Sequence, residues 1–254
     1  MASGMTAWLD RALQRRLLAR WTRLADAAGS MDIAEIRRHR GRAAALKRQV
    51  DRVIREADLR LAAPAAGDGP ARPLGADWVW RPDPWTAPLP LAGLAAVPQK
   101  AELCRGVTLY HDAPQAEVTL RQLRAASPGD PAPFALAIDA LGFEGSFLSL
   151  AIELPDNARI GLRNRHVISA TLKVAMERRL EAYARLNIRH GPNQEQVVRA
   201  FDPGTAEVEF DLAHTRMNER RVEALWLDLI FDSPAMNRIA IGDVTVSRRP
   251  RAGL

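Results

Sequence analysis

Cysteine occurs once in the 254 residues, at Cys104. A single thiol excludes an intrachain disulfide and a cysteine-based zinc site. No run reaches the roughly 20 apolar residues that a helix needs to cross a bilayer. Near the start, Arg11, Arg15, Arg16 and Arg20 break up the apolar core that a secretory signal requires. These absences point to a cytoplasmic protein, with peripheral membrane attachment as a variant of that expectation. No glycine-rich phosphate loop is present, which argues against a nucleotide enzyme. The five histidines, His39, His111, His166, His190 and His214, show no metal-ligand spacing. No metal and no cofactor are therefore expected. Ser146 in "FEGSFLS" lacks the Gly-x-Ser-x-Gly frame of a nucleophile elbow. Acidic pairs such as Glu144 with Glu153, or Asp228 with Asp232, carry no mark, because glycosidase carboxylates are defined by distance in space. The sequence thus names no catalytic residue, and a non-enzyme is the preferred reading.

The charge that is present is lopsided. The formal net charge is +6, yet residues 1–62 hold 14 Lys/Arg against 7 Asp/Glu, and the other 192 residues hold 22 against 23. A basic front end on a near-neutral body suggests an anionic partner for one end only. In that front end Leu9, Leu13, Leu17, Trp21 and Leu24 recur at spacings of four or three, which predicts one apolar helix face flanked by arginines. Gly29 suits a left-handed helix end. Asp32 with Glu35 reads as a capping box that opens a second helix. Its stripe is Ile36, Ala43, Leu46, Val50, Val53, Ala57 and Leu61, with Pro64 as the expected stop. A short turn between the two predicts antiparallel neighbours that bury these stripes. Residues 6–61 are accordingly the candidate surface for a protein partner or for self-association. An anionic membrane, met by Trp8, Trp21 and the leucines, is the less favoured partner. Nucleic acid is disfavoured, since "RRHRGR" is short and no recognition motif accompanies it.

Residues 63–76, "APAAGDGPARPLGA", have linker composition. The stretch that follows, "DWVWRPDPW", does not: it carries Trp78, Trp80 and Trp85, half of the chain's six tryptophans. Prolines at 82, 84, 88 and 90 stiffen it, and a stiff chain loses less entropy on docking. The expected role is a strap across the following domain, with the indoles in its core. The alternative is an exposed aromatic platform that stacks on sugar rings.

From about Val107 the apolar period changes from 3.6 to 2. Strands are predicted at 107–110, 134–140, 146–154, 166–176, 182–190, 195–200, 206–212, 224–231 and 237–247, between turn-rich segments such as "SPGDPAP" and "RHGPNQE". Ile168, Ala170, Leu172, Val174 and Met176 alternate with Ser169, Thr171 and Lys173. Such alternation gives each strand one buried and one solvated face, as antiparallel sheets show. The fold class is therefore mainly β with an N-terminal α segment: an antiparallel jelly-roll β-sandwich preceded by a basic helical hairpin. The expected organisation is a hairpin at 1–62, a linker with a Trp-rich strap at 63–106 and the sandwich at 107–254.

Two groups of polar residues are the candidate binding sites. One is the solvated strand face Tyr183, Arg185, Asn187 and Arg189, joined by Trp226 and Asp228 if strand 224–231 lies in the same sheet. Aromatic, guanidinium, amide and carboxylate groups together suit stacking and bidentate hydrogen bonds to a sugar. The other is the loop with His190, Asn193 and Gln196.

The closing stretch "ALWLDLIFDSPAMNRIAIGDVTVSR" resembles the last strand pair of galactose-binding-like jelly rolls, the fold of many carbohydrate-binding modules. Along most of the chain, "APFALAIDALGFEGSFLSLAIELP", "ARLNIRHGPNQEQ" and "FDLAHTRMNERRVEALWLDLIFDSPAMN" are similar to an uncharacterised bacterial family, a domain of unknown function. That resemblance implies no catalytic residues. The functional expectation is a non-catalytic protein whose sandwich binds a glycan or other polar ligand and whose hairpin serves association or anchoring. The alternatives are a scaffold making protein contacts through both parts and, last in order, an enzyme acting on polysaccharide.

Overall fold

The computed structural model describes residues 2–66, 69–125, 127, 129–204 and 207–251, with side chains from Leu13 onward except 55–56 and 58–66. The chain divides into two compact units, Met1–Glu56 and Ala57–Leu254. The first holds α1 (Ala2–Ala27) and most of α2 (Ile33–Ala66). The carbonyl of Asp32 accepts from Ile36 and its carboxylate from the Ala34 N–H at 2.9 Å, so Asp32 does cap α2. Gly29 lies in a 3-10 turn, Ala28–Ser30, rather than in a left-handed cap. Pro64 does not stop α2, which runs on to Ala66. Among the described residues the expected burial of the stripes is only partial: Trp21, Leu24, Ile36 and Ala43 are half-buried, whereas Leu13, Leu17, Leu46, Val50 and Val53 are exposed. Two helices on their own offer too little apolar area to build a core. The side chains of Trp8, Leu9, Arg11 and Leu61 lie outside the described residues.

The second unit is an antiparallel two-sheet sandwich of jelly-roll type. Its strands are β1 (Trp78–Trp80), β2 (Gly93–Leu94), β3 (Lys100–Cys104), β4 (Val107–His111), β5 (Ala116–Arg124), β6 (Phe134–Phe143), β7 (Phe147–Glu153), β8 (His166–Met176), β9 (Ala182–His190), β10 (Asn193–Phe201), β11 (Glu207–Asp211), β12 (Val222–Asp232) and β13 (Asn237–Pro250), with a short helix α3 (Asp83–Thr86). One sheet runs β11-β8-β13-β6-β5-β2, with β1 beside β13, and the other β10-β9-β12-β7-β4-β3. The core lies between them. Ile168, Ala170 and Leu172 of β8 and Leu136 and Ile138 of β6 share it with Leu186 and Ile188 of β9 and Leu225, Leu227, Leu229 and Phe231 of β12.

The tryptophan stretch is bound to one irregularity in β13. That strand pairs with β6 through Asn237–Ile241 and with β1 through Val246–Arg248, and its register against β8 shifts between Ile241 and Asp243. The extra residue at Gly242 swaps the buried parity: Ile239 and Ile241 face the core before it, Val244 and Val246 after it. It also leaves polar groups to be satisfied. The Trp85 indole donates to the Ile241 carbonyl at 2.9 Å, with the side chain fully buried. Arg81 Nε donates to Asp243 Oδ1 at 2.8 Å and to Thr245 Oγ1 at 3.2 Å, and both charged partners are buried. Gln122 of β5 fixes the rest of the strap, accepting from the Leu89 N–H and donating to the Pro84 and Ala87 carbonyls. Trp85 is therefore a core residue and no part of a platform. Trp78 and Trp80 are half-buried, and residues 78–104, grouped by composition with the linker, contribute β1, β2 and β3.

Candidate functional site

The outward face of the six-stranded sheet is built from the strand positions that alternate with the core. On β9 these are Tyr183, Arg185, Asn187 and Arg189, and on β12 they are Ala224, Trp226, Asp228 and Ile230. Trp226 pairs with Asn187 on one side and with Glu153 on the other. Asp228 pairs with Arg185 and Ala151, and Ala151 with Thr108. Ile230 pairs with Tyr183 and Ser149, and Ser149 with Tyr110. The middle of the sheet thus presents small side chains, Ser149, Ala151 and Thr108, between the larger Trp226 and Tyr110. The result is a groove of about 930 Å³, also lined by Phe147, Glu153, Arg159 and Arg189.

Its floor is held by charge. Asp228 is buried, and its Oδ2 accepts from Arg185 Nε at 2.9 Å and Arg185 Nη2 at 2.8 Å. Asn187 Nδ2 donates to the same oxygen at 2.8 Å, and Asn187 Oδ1 accepts from Gln194 at 3.4 Å. Asp228 Oδ2 is thereby engaged, and Arg185 is fixed while its side chain stays partly open to solvent. Arg189 pairs with Glu223 at 3.4 Å, and Arg159 pairs with Asp156. Beside the groove, the Lys100 ammonium lies 5.7 Å from the centre of the Tyr110 ring. What this arrangement offers a ligand is aromatic faces over a fixed, internally neutralised polar floor.

The residues chosen from sequence divide accordingly. Arg185, Arg189, Trp226 and Asp228 line the groove. Asn187 lies beneath it, buried. Tyr183 shares the face but lies outside the lining, where its hydroxyl donates to Glu181 at 2.7 Å, which raises the phenol's pKa above its ordinary value. Gln196 pairs with Asn187 on β10, also outside the lining. His190 does not belong: its parity turns it inward, it is buried, and its Nδ1 accepts from the Asn218 N–H at 3.3 Å. Asn193 is its partner across the β9–β10 turn and is likewise off the groove face. Tyr110, Thr108, Phe147, Ser149 and Glu153 were not expected. The alternation of "VTLYH" marks the first two as outward-facing, but only the β4–β7–β12 pairing brings them beside Trp226.

Other candidate chemistry is quenched. Burial, with Asp83 and Glu102 nearby, pushes the Cys104 thiol up to about 11, so it stays protonated at neutral pH. His111 contacts the Val97 carbonyl at 3.1 Å through Nε2, and His166 Nδ1 accepts from the Arg163 N–H at 2.8 Å. Among the described residues no three or more His, Cys, Asp or Glu form a metal-binding group. Nor is any helix of the described residues long and apolar enough to cross a membrane.

Over residues 1–254 the chain belongs to DUF6478, a family of unknown function. No curated protein matches it. Among solved structures it is similar to the family 11 carbohydrate-binding module from Clostridium thermocellum in complex with a beta-1,3-1,4-mixed-linked tetrasaccharide, at 11% identity and a TM-score of 0.39, covering 64% of this chain and 99% of that one. It is also similar to the CBM22-1 xylan-binding domain from Paenibacillus barcinonensis, at 12% identity and a TM-score of 0.37, covering 72% of this chain and 99% of that one. A third likeness is to the enzymatically active domain of tailspike protein 4 of bacteriophage CBA120, at 6% identity and a TM-score of 0.39, covering 56% of this chain but only 19% of that one.

Proposed function

We propose that the protein is a non-catalytic glycan-binding protein whose ligand lies in the groove on the outer face of the six-stranded sheet. The observation that carries this reading is one groove lined by both Trp226 and Tyr110, with small residues on the strand between them and with Arg185 fixed by a buried Asp228. Flat aromatic faces match the apolar C–H faces of pyranose rings, and a preorganised guanidinium offers donors to sugar hydroxyls at little entropic cost. Asp228 Oδ2 accepts from both Arg185 and Asn187, which supports a structural rather than an acid–base use of that carboxylate. The helical segment serves association or anchoring, and its exposed apolar stripes support that role.

The test is a glycan array probed with the native protein and with Trp226→Ala. Trp226 is only half-buried, so the variant is expected to fold. Selective saccharide binding by the native protein, weakened about tenfold or more in the variant, supports the reading. Absence of saccharide binding, or binding that the variant retains in full, overturns it.

A further inference from the structure

The groove does not end at Glu153. A second hollow of about 370 Å³ adjoins it, walled by Trp80, Pro82, Asp83 and Arg105. The two share Gly106, Glu153, Leu154 and Asp156. Gly106 occupies the β3–β4 turn with a φ of 76°, and a Cβ there would lie 3.3 Å from the Glu153 Cβ. The turn and the close approach both call for glycine, and the missing side chain keeps the rim between the hollows low. At the far side Trp80 packs against the core and is half-buried, with the rest of it lining the hollow. It pairs with Val246 of β13, its ring lies 6.3 Å from that of Trp78 at 26°, and the Trp78 indole donates to Asn157 Oδ1 at 3.2 Å.

We propose that the ligand is a neutral oligosaccharide chain that runs from Trp226 over Gly106 to a second stacking position at Trp80. The inference rests on the glycan-binding reading above. Length follows from strand spacing: Trp226 of β12, Glu153 of β7 and Gly106 in the turn before β4 lie side by side, so the first step alone spans about 10 Å, longer than one pyranose ring. Neutrality follows from the ion pairs. Arg185, Arg189 and Arg159 are matched by Asp228, Glu223 and Asp156. The charges left along the path are Arg105 against Asp83 and Glu153, a slight acidic excess that repels uronate or sulfate groups. The strap therefore has two roles, closing the bulge of β13 with Trp85 and presenting Trp80 to the ligand.

Calorimetric titration of the full chain with cello-, xylo- and malto-oligosaccharides from disaccharide to hexasaccharide, and with oligogalacturonides, tests this. Affinity for a neutral series is expected to rise with length, and oligogalacturonides are expected to bind more weakly. Trp80→Ala should weaken hexasaccharide binding about tenfold and leave disaccharide binding unchanged. Arg105→Ala, on an exposed turn, should weaken the hexasaccharide several-fold with no loss of fold. Disaccharides bound as tightly as hexasaccharides, equal losses for short and long chains, or preference for oligogalacturonides would each overturn the proposal while the groove remained a saccharide site. No binding to any series would overturn the glycan reading and this inference with it.

Discussion

Trp85 shows how a single side chain can serve two needs. It fills the core and satisfies the Ile241 carbonyl that the bulge at Gly242 turns out of the ladder. Removing it opens a cavity and leaves a buried acceptor unpaired. Trp85→Ala is therefore expected to cost roughly 3–5 kcal/mol. Trp85→Phe refills most of the volume but leaves the carbonyl orphaned, at about 1–3 kcal/mol. Denaturant titration of the two variants measures both terms, and equal stability of the phenylalanine variant and the native protein would show that the indole bond contributes nothing. Trp226 is the opposite case. It faces outward from a strand whose other residues, Leu225, Leu227 and Leu229, already make the core. The sequence shows both tryptophans equally plainly. Which is core and which is site depends on the parity of each strand and on what covers it.

At the scale of elements, alternation was enough for the long strands. β8 and β9 lie at 166–176 and 182–190, as the period of two predicts, and β12 and β13 extend a few residues beyond their expected ends. It was not enough for β1, β2, β3 and β5. "VTLRQLR" in β5 has helix-forming residues and apolar positions compatible with either period, and pairing with β6 decides the matter. β1 and β2 are too short to show a period, and proline between them reads as linker. The groove was half legible for the same reason: its β9 and β12 residues follow from alternation, whereas the β4 and β7 residues enter through long-range pairing. The helices make the converse point. Their stripes are plain in sequence, but a stripe says only that something covers it. Every buried apolar residue among those described lies at Ala76 or later. Removal of residues 1–62 is therefore expected to leave a folded sandwich with a cooperative melt close to that of the full chain. Sedimentation velocity then reads the role of the helices: the full chain should associate as concentration rises, and the truncated chain should remain monomeric. A truncated chain that unfolds or aggregates would show that the helices are needed by the sandwich itself. A full chain that stays monomeric would remove association as their role.

In the molecule as a whole, the two sheets do different work. The seven-stranded sheet takes the strap and the bulged β13, with Arg81, Asp243, Thr245 and Ser247 buried there. The six-stranded sheet is left with an open outward face, and on it the small residues of β7 and β4 make the groove. Ligand recognition should then centre on the outward face of the six-stranded sheet and reach the seven-stranded sheet only at Trp80 of β1. The most direct measurement is a titration of isotope-labelled protein with a saccharide identified on the array, followed by amide and indole chemical shifts. Shifts are expected at the Trp226 indole and along residues 106–110, 149–156, 185–189 and 223–230, with the Trp80 indole joining for longer chains. Shifts centred on the β9–β10 turn or on the seven-stranded sheet, with the Trp226 indole unmoved, would contradict that expectation.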